Sequence, residues 1–396
     1  MREFIFLMAF LTSLAALSVD ALLPAMSQIG TDLNVVRQND VQWIIGIFFA
    51  GMMLGYALYG QLADALGRKI ALNIGIALFI TGCLISWTAQ SLAVLLLGRF
   101  VQGFGAAGPR ITTLAVIRDK HHGREMASIM SMVMGIFIFV PVIAPALGKA
   151  IMALAHWREI FLFYIAVALA GFVWTHFRLE ETLKPERRKP LDIASLIQDF
   201  GECLKTPVTL GYAIASGIVF GAIIAYLNSI QPILEDIYTV GDWFPLYFGL
   251  LAAAIGAAFF SNSMLVGRLG MRRLTTRALQ AMALLALLFL PLSLSGLASL
   301  PVFLIYGGLS FFCLGLMFGN MSALALEPMG HIAGTASAFV SVLSTGLAVV
   351  AGGIIGQLYN ETVLPLNLGY LALALLALGV QHLTEKTRPP ETEQPQ

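Results

Sequence analysis

Residues 60–69, Gly60-Gln-Leu-Ala-Asp-Ala-Leu-Gly67-Arg68-Lys69, form the junction of two apolar runs, at 40–63 and 70–89, and contain the polar residues that separate them. Each run is close to the roughly 20 residues that an α-helix needs to cross a bilayer. A similar stretch, Gly267-Arg268-Leu269-Gly270-Met271-Arg272-Arg273, follows a later apolar run. The pattern stands after the second and the eighth apolar run, which predicts a membrane protein built from two repeated halves.

Apolar runs of this length, separated by short polar stretches, occupy most of the chain. The twelve predicted spans are 4–26, 40–63, 70–89, 92–117, 125–154, 159–178, 207–231, 244–266, 274–296, 300–325, 332–358 and 363–383. They predict an all-α membrane protein with twelve transmembrane helices in two six-helix bundles. We expect an N-terminal bundle at 1–178, a cytoplasmic linker at 179–206 with an amphipathic helix around 192–204, a C-terminal bundle at 207–384 and a disordered cytoplasmic tail at 385–396.

Composition agrees with this arrangement. Apolar residues make up 58% of the 396 residues and charged residues only 11%, which excludes an ordinary soluble globule. The net charge of +1 gives no reason to expect nucleic acid as a partner. Three isolated cysteines, Cys83, Cys203 and Cys313, indicate neither a disulfide framework nor a metal site. Residues 1–25 imitate a signal peptide, but the continuation into Asp20 and Pro24 indicates a first transmembrane helix.

The placement of Lys and Arg predicts the orientation. If the N-terminus is cytoplasmic, eighteen Lys and Arg residues lie in cytoplasmic segments and three, Arg37, Lys149 and Arg158, lie on the other side. Because short cytoplasmic loops carry an excess of Lys and Arg, we expect both termini to be cytoplasmic. The predicted location is the bacterial inner membrane.

Four motifs resemble those of the major facilitator superfamily, and within it the bicyclomycin and chloramphenicol resistance branch of drug:proton antiporters. They are Ser18–Ala25 in the first span, Gly60–Lys69 after the second, Arg99-Phe-Val-Gln102-Gly103-Phe-Gly105 in the fourth and Pro141-Val-Ile-Ala-Pro145-Ala-Leu-Gly148 in the fifth. The resemblance implies a proton-coupled exporter of amphiphilic antibiotics such as bicyclomycin, phenicols or sulfonamides. It implies alternating access, energy from the proton gradient without a cofactor, and a monomer in the lipid bilayer.

Asp20 and Arg99 are the candidate proton-coupling residues. An acid or a base inside a span costs about 2.5 to 3.5 kcal/mol on the insertion scale, so such residues tend to face a cavity or a partner. Asp20 lies in the outer half of the first span, about 24 Å from Phe4 along the helix, and Arg99 lies at a similar depth. A poorly solvated carboxylate binds a proton readily, and a nearby Arg favours its ionised form. We therefore expect a switch between an ion-paired and a protonated state. The alternative for Asp20 is a polar residue at the outer interface.

Other polar residues of the spans are predicted to line the substrate cavity with Asp20 and Arg99. Arg110 follows Arg99 by three helical turns on nearly one face, about 16 Å away; snorkelling to the cytoplasmic interface is an equal alternative. The complete predicted cavity set is Asp20, Arg99, Gln102, Arg110, Tyr226, Asn228 and Gln231.

Two sets of residues have predicted structural roles. The resemblance implies that Gly60, Asp64, Gly67, Arg68 and Arg118 form a conformational latch, in which Asp64 caps a helix and pairs with Arg118. Gly135, Pro141, Pro145 and Gly148 are expected to let the fifth helix bend and pack closely, although ordinary glycine packing explains part of this pattern. Lys149 is expected to be an interfacial, snorkelling lysine.

Other function classes find less support. Gly103-Phe-Gly105-Ala-Ala-Gly108 fits a dinucleotide pattern but lies inside an apolar run, without the strand that the fingerprint requires. The sequence has no P-loop, and no cluster of His, Ser or acidic residues indicates a membrane-embedded enzyme or a metal site. A channel remains possible, though repeated halves favour alternating access. The second buried cation, Arg110, keeps open the export of an anionic metabolite or siderophore.

Overall fold

A computed structural model describes residues 1–188 and 190–387, and it is built from α-helices. Within these residues, twelve helices have 19 to 32 residues, and two shorter ones lie between them. The helices are α1 Arg2–Asp20, α2 Met26–Asp32, α3 Trp43–Leu66, α4 Arg68–Trp87, α5 Leu92–Lys120, α6 Gly123–Leu154, α7 Glu159–Arg178, α8 Ile193–Lys205, α9 Pro207–Pro232, α10 Phe244–Leu269, α11 Met271–Ser295, α12 Leu300–Leu326, α13 Ala333–Gln357 and α14 Leu364–Lys386.

The long helices are suited to a bilayer. Eleven stretches of the described residues are long and apolar enough to cross a membrane; one of them, 300–357, contains both α12 and α13, which the turn Glu327–Ile332 separates. A helix satisfies every backbone polar group within its own segment, which hydrocarbon demands. The predicted twelve-helix, all-α fold is confirmed, and eleven of the predicted spans begin and end within three residues of the observed helices.

The first span differs from its prediction. It was expected to run through residue 26, but α1 ends at Asp20 and a short turn, Leu23–Ala25, separates it from α2. Pro24 lies within that turn. Proline has no backbone N–H and disfavours helical geometry at the preceding residue, so the helix stops before it. Asp20 is consequently at the end of a helix rather than in its interior.

The helices form two bundles that contact each other reciprocally. The first bundle, called here the first half, contains α1 and α3–α7, and the second half contains α9–α14. Between the halves, α3 packs on α13 and α6 packs on α10. The second long helix of each half therefore contacts the fifth of the other, as expected for repeats related by a pseudo-two-fold axis.

The segment between the halves contains the helix that the sequence predicted around residues 192–204. Asp192 accepts a hydrogen bond from the amide of Ser195 at 3.0 Å and so caps α8. At the end of the chain, α14 continues through Lys386. The predicted start of the tail at 385 is therefore wrong for Glu385 and Lys386, and residues 388–396 lie outside the described part.

The two ends of the bundles are named here by one residue each. The Asn39 end carries the turns that follow α1, α4, α6, α9, α11 and α13, and the Arg68 end carries both termini of the described chain and α8.

Candidate functional site

Arg99 is completely enclosed by the first half. Its side chain is 0% exposed. Nη1 donates hydrogen bonds to the carbonyl oxygen of Ser18 at 3.1 Å and to Oε1 of Gln102 at 2.7 Å, and Nε donates to the carbonyl oxygen of Ile44 at 3.3 Å. The guanidinium also lies 4.4 Å from the ring centre of Phe48, a cation–π distance. Arg99 thus joins α5 to α1 and α3. Its Nη2 is buried without a hydrogen-bond partner among the described residues.

Asp20 is buried beside this network. It is 5% exposed, and no hydrogen bond or ion pair is found for its carboxyl group among the described residues. The carboxyl group is near enough to two tyrosine hydroxyls to interact with them electrostatically: Tyr164 of α7 and Tyr226 of α9. Tyr226 belongs to the second half. The turn that follows Asp20, Leu23–Ala25, contacts α9, so the buried Asp20 lies near the seam between the halves and is not exposed to lipid.

Asp20 and Arg99 lie on neighbouring helices but do not form an ion pair. Arg99 binds the backbone of Ser18, two residues before Asp20. The predicted ion-paired arrangement is therefore not the one adopted in this structure. The carboxyl group and the guanidinium have separate surroundings, and the α1 backbone connects them. A shift of α1 against α5 would alter both.

Gln102 and Tyr226 complete the buried polar centre. Gln102 is 0% exposed, receives the hydrogen bond from Arg99, and approaches Oγ of Ser18 at 3.5 Å. Tyr226 packs edge-on against Phe311, with 4.4 Å between ring centres. Its hydroxyl has no hydrogen-bond partner in the described part of the chain. Buried polar groups are usually satisfied, so this unpaired hydroxyl is an exception within the buried centre.

Asn228 and Gln231 lie elsewhere. Both line a cavity of about 410 Å³ at the Asn39 end, together with Gln42 and Asn39 from the first half. Neither Asp20, Arg99, Gln102 nor Tyr226 lines this cavity. The predicted cavity set is therefore divided between a buried centre and a vestibule at the Asn39 end.

Arg110 is partly buried on α5 and lies near the hydroxyl of Tyr56, on α3. The structure separates it from the contacts that hold Arg99, eleven residues earlier on the same helix.

The predicted latch has a different set of partners from the one expected. Arg68, not Arg118, forms an ion pair with Asp64, and Nε of Arg68 donates to Asp119 at 2.8 Å. The expected Asp64–Arg118 pair is wrong because Arg118 is exposed on α5, whereas its neighbour Asp119 faces α4. Gly60 has an open surrounding: no atom of the described residues lies within 4 Å of the position of a Cβ.

Glu181 caps the helix that begins after Gly67. Its two carboxylate oxygens accept hydrogen bonds from the amides of Arg68 and Lys69, at 2.9 and 3.1 Å. A carboxylate at a helix N-terminus is stabilised by the unpaired N–H groups and the helix dipole. Gly67 has φ of 106° and Gly270, its counterpart in the second half, has φ of 73°. Both turns need the left-handed region that glycine enters without strain.

Close helix packing is observed at one end of the predicted fifth-helix motif. A Cβ on Gly148 would lie 1.9 Å from the carbonyl oxygen of Ala21, whereas one on Gly135 would have no atom of the described chain within 4 Å. Pro141 and Pro145 both lie inside α6, which is continuous from Gly123 to Leu154. Of the glycines, Gly148 is thus the one at which α6 approaches its neighbour.

Contacts between the halves at the Asn39 end were missed by the sequence analysis. Nδ2 of Asn39 donates to the carbonyl oxygens of Gln357 and Tyr359, at 3.1 and 2.9 Å, and Nε2 of Gln357 donates back to the carbonyl of Asn39 at 2.7 Å. Lys149 donates to the carbonyl of Gly241 at 2.6 Å and lies 3.0 Å from Asp242. The expectation that Lys149 only snorkels to an interface is wrong, because it joins α6 to the turn before α10.

These contacts had no clear signal in the sequence. The turns at the Asn39 end are short and polar, and nothing in their composition indicates which residues meet.

Among the described residues, no group of three or more His, Cys, Asp and Glu side chains could hold a metal ion.

Comparisons with known proteins agree with this architecture. The model of the Major Facilitator Superfamily matches residues 8–353. An uncharacterized MFS-type transporter, YdgK, of Bacillus subtilis is 30% identical over 90% of this chain and 89% of its own length. A bicyclomycin resistance protein homolog of Haemophilus influenzae is 28% identical over 92% of this chain and 91% of its own. The multidrug resistance protein MdtL of Salmonella heidelberg is 27% identical over 89% and 86%.

Solved structures share the fold. A partially occluded, inward-open structure of the xylose transporter XylE from E. coli matches with a TM-score of 0.73, covering 100% of this chain and 99% of that one at 12% identity. The human organic anion transporter MFSD10 matches with a TM-score of 0.67, covering 96% and 99% at 16% identity. At these identities the likeness concerns the fold alone.

Proposed function

We propose that this chain, which belongs to the major facilitator superfamily, exports small amphiphilic molecules such as antibiotics in exchange for protons, by alternating access of its two halves. Its relatives are transporters, so the chain is a transporter and not an enzyme. Two relatives carry the names of bicyclomycin and multidrug resistance proteins. These names support an antibiotic substrate class. They give no support to the alternative, an anionic metabolite or siderophore.

The observation that carries the coupling proposal is the buried carboxyl group of Asp20 at the seam between the halves. A buried carboxylate without a cationic partner is costly to ionise, so the neutral form is favoured while the site is dry. When the halves separate and water enters, hydration lowers the free-energy cost of ionising the carboxyl group. Protonation of Asp20 would therefore alternate with the conformational cycle. The proton gradient supplies the energy, and no cofactor takes part.

Arg99 is proposed to act with Asp20 through the α1 backbone. In this structure it holds the carbonyl of Ser18. In the state that ionises Asp20, a small movement of the end of α1 would bring the carboxylate toward the guanidinium, whose Nη2 has no partner among the described residues. The switch between these two arrangements would link proton release to the position of α1.

The membrane arrangement is part of the same proposal. The chain would span the bacterial inner membrane as a monomer, with the Arg68 end and both termini in the cytoplasm, as the excess of Lys and Arg in that end favours. The Asn39 end would then face the periplasm, and protons would enter from that side.

The test is transport by purified protein in liposomes under an imposed pH difference. The panel would contain bicyclomycin, chloramphenicol and sulfathiazole, and the variants would be Asp20→Asn, Asp20→Glu and Asp40→Asn. We expect gradient-driven transport by the parent and by Asp40→Asn, whose carboxylate is paired with Arg37 at the surface. Asp20→Glu should retain part of the transport, and Asp20→Asn should lose the dependence on the gradient.

Two results would contradict the proposal. Gradient-driven accumulation by Asp20→Asn at the parent's rate would remove Asp20 from the coupling. Flux that does not saturate with substrate would indicate a channel rather than a carrier.

A further inference from the structure

A cavity of about 410 Å³ crosses the seam between the halves at the Asn39 end. From the N-terminal side of the chain it is lined by Met26, Ser27, Gln38, Asn39, Val41 and Gln42, and the second half contributes the end of α9, Asp236 just after it, and the turn after α13. The cavity does not include Asp20 or Arg99, and the transport proposal assigns it no role. Its volume is within the range of small-molecule sites, about 300 to 1,000 Å³.

Gln42 and Asn228 line the inner part of this cavity, called here its floor, and each carries a hydrogen-bond acceptor that has no donor among the described residues. Gln42 is 7% exposed and Asn228 is 3% exposed. Nδ2 of Asn228 donates to the carbonyl of Gly352 at 3.1 Å. Neither Oδ1 of Asn228 nor Oε1 of Gln42 has a hydrogen-bond partner among the described residues. A buried acceptor left without a donor is unfavourable, so a ligand that donates hydrogen bonds would be stabilised where the side chain of Gln42 or Asn228 turns to meet it.

The mouth of the cavity is acidic. Asp236 and Glu361 both line it and both are exposed, and their carboxylates repel each other. The hydroxyl of Tyr359 is buried without a hydrogen-bond partner in the described part and lies in the field of both acids. None of the described lining residues is basic. A cation entering here would relieve the repulsion between the two carboxylates and be attracted before it reaches the floor.

One wall of the cavity is the contact that holds the halves together. Asn39 lines the cavity and is hydrogen-bonded to the backbone of Gln357 and Tyr359 in the other half. A ligand that bridges Gln42 and Asn228 would span the same seam. Because a ligand stabilises the conformation that it binds best, occupation would favour the state in which the Asn39 end is closed.

We propose that this cavity binds an organic cation rich in hydrogen-bond donors, such as an amidinium or a protonated amine, and that occupation holds the two halves together at the Asn39 end. The inference does not depend on the identity of the transported substrate. It concerns a second site, separate from the buried centre around Asp20.

Isothermal titration of the full-length protein in lipid nanodiscs tests the binding. The probes are benzamidinium, a planar cation with four N–H donors, and benzamide, its neutral analogue. We expect one saturable benzamidinium site per chain, and affinity for benzamide at least about tenfold lower, or 1.4 kcal/mol. The double variant Asp236→Asn/Glu361→Gln should bind benzamidinium at least tenfold more weakly.

Two control variants locate the site. Asp40→Asn removes a carboxylate at the same end that is paired with Arg37, and it should leave benzamidinium binding unchanged. Asp20→Asn should also leave it unchanged. The proposal is overturned if benzamide binds as well as benzamidinium, if the double variant binds like the parent, or if the parent shows no saturable binding. It is also overturned if binding disappears in Asp20→Asn instead, since the ligand would then occupy the buried centre.

Distance measurements test the effect on conformation. Spin labels at Thr31→Cys, at the exposed end of α2, and at Thr362→Cys, on the exposed turn before α14, would report the separation at the Asn39 end. Benzamidinium should shift the distance distribution toward its shortest component, and benzamide should not. An unchanged distribution at saturating benzamidinium would overturn the proposed closing effect even if binding is observed.

Discussion

Nη1 of Arg99 lies 3.1 Å from the carbonyl oxygen of Ser18, two residues before Asp20. The guanidinium of α5 is thereby fixed to the end of α1 that carries the buried acid. Arg99 and Asp20 are thus connected through two peptide units of the chain, without a direct ion pair. This connection is the structural basis for the first prediction.

Replacing Arg99 by Lys should abolish coupled transport while the protein still folds. Lys keeps the charge but lacks the planar fork with which Arg reaches Ser18, Gln102 and Ile44 together. A hydrogen bond to a charged group contributes about 1.5 to 3 kcal/mol, so the thermal midpoint should also fall. Arg110→Lys, on the same helix, is the control and should change the midpoint little. Coupled transport by Arg99→Lys at the parent's rate would show that the planar guanidinium group of Arg99 is not required.

Gly148→Ala should be far more damaging than Gly135→Ala. The added Cβ would lie 1.9 Å from the carbonyl of Ala21 in the first case and have no atom of the described chain within 4 Å in the second. Overpacking typically costs about 1 to 3 kcal/mol. In Gly148→Ala it would occur against Ala21, the residue that follows Asp20 in the chain. The measurements are the thermal midpoint and transport of both variants. Equal midpoints would mean that α6 and the turn after α1 are less closely packed than the 1.9 Å approach to Ala21 requires.

Lys149→Met should loosen the Asn39 end, whereas Asp242→Asn should have little effect. The lysine donates to the carbonyl of Gly241 at 2.6 Å, and that bond survives when Asp242 is neutral. The Asp242 side chain is 98% exposed, so solvent screens its attraction to Lys149. Distances between labels at Thr31→Cys and Thr362→Cys should broaden for Lys149→Met alone. The same broadening in both variants would assign the contact to the ion pair.

Glu181→Ala should destabilise the protein more than Asp64→Asn. Glu181 accepts two backbone hydrogen bonds at the start of α4, and losing a helix cap costs about 0.5 to 2 kcal/mol. Asp64 is 47% exposed, and Arg68 retains Asp119 when Asp64 is neutral. Thermal unfolding of both variants checks the order. A larger loss for Asp64→Asn would make Asp64, rather than Glu181, the principal support of the turn.

The sequence predicted the helices well for a physical reason. Hydrocarbon requires long, apolar helical segments, so α3–α7 and α9–α14 appear directly in the hydropathy pattern. The end of α1 was placed six residues too late, because the apolar run continues past Asp20 and hides the break at Pro24. Hydropathy averages over a window, whereas one proline decides a helix end.

The functional residues were predicted only in part. Asp20 and Arg99 stood out because buried charge in a span is costly, and both are buried as that argument requires. Their partners depend on side-chain direction and on helices far apart in sequence. Arg118 was therefore predicted as the partner of Asp64, whereas Arg68 pairs with both Asp64 and Asp119. The link from Lys149 to Gly241, ninety-two residues away, had no local signal.

Proton release on ligand binding tests the central claim most directly. A panel compound that the liposome assay identifies as a substrate would be added to weakly buffered, detergent-purified protein, and the pH change recorded with a dye. The account predicts that the parent releases protons on binding and that Asp20→Asn binds the same compound and releases none. Equal proton release by the parent and by Asp20→Asn would contradict it.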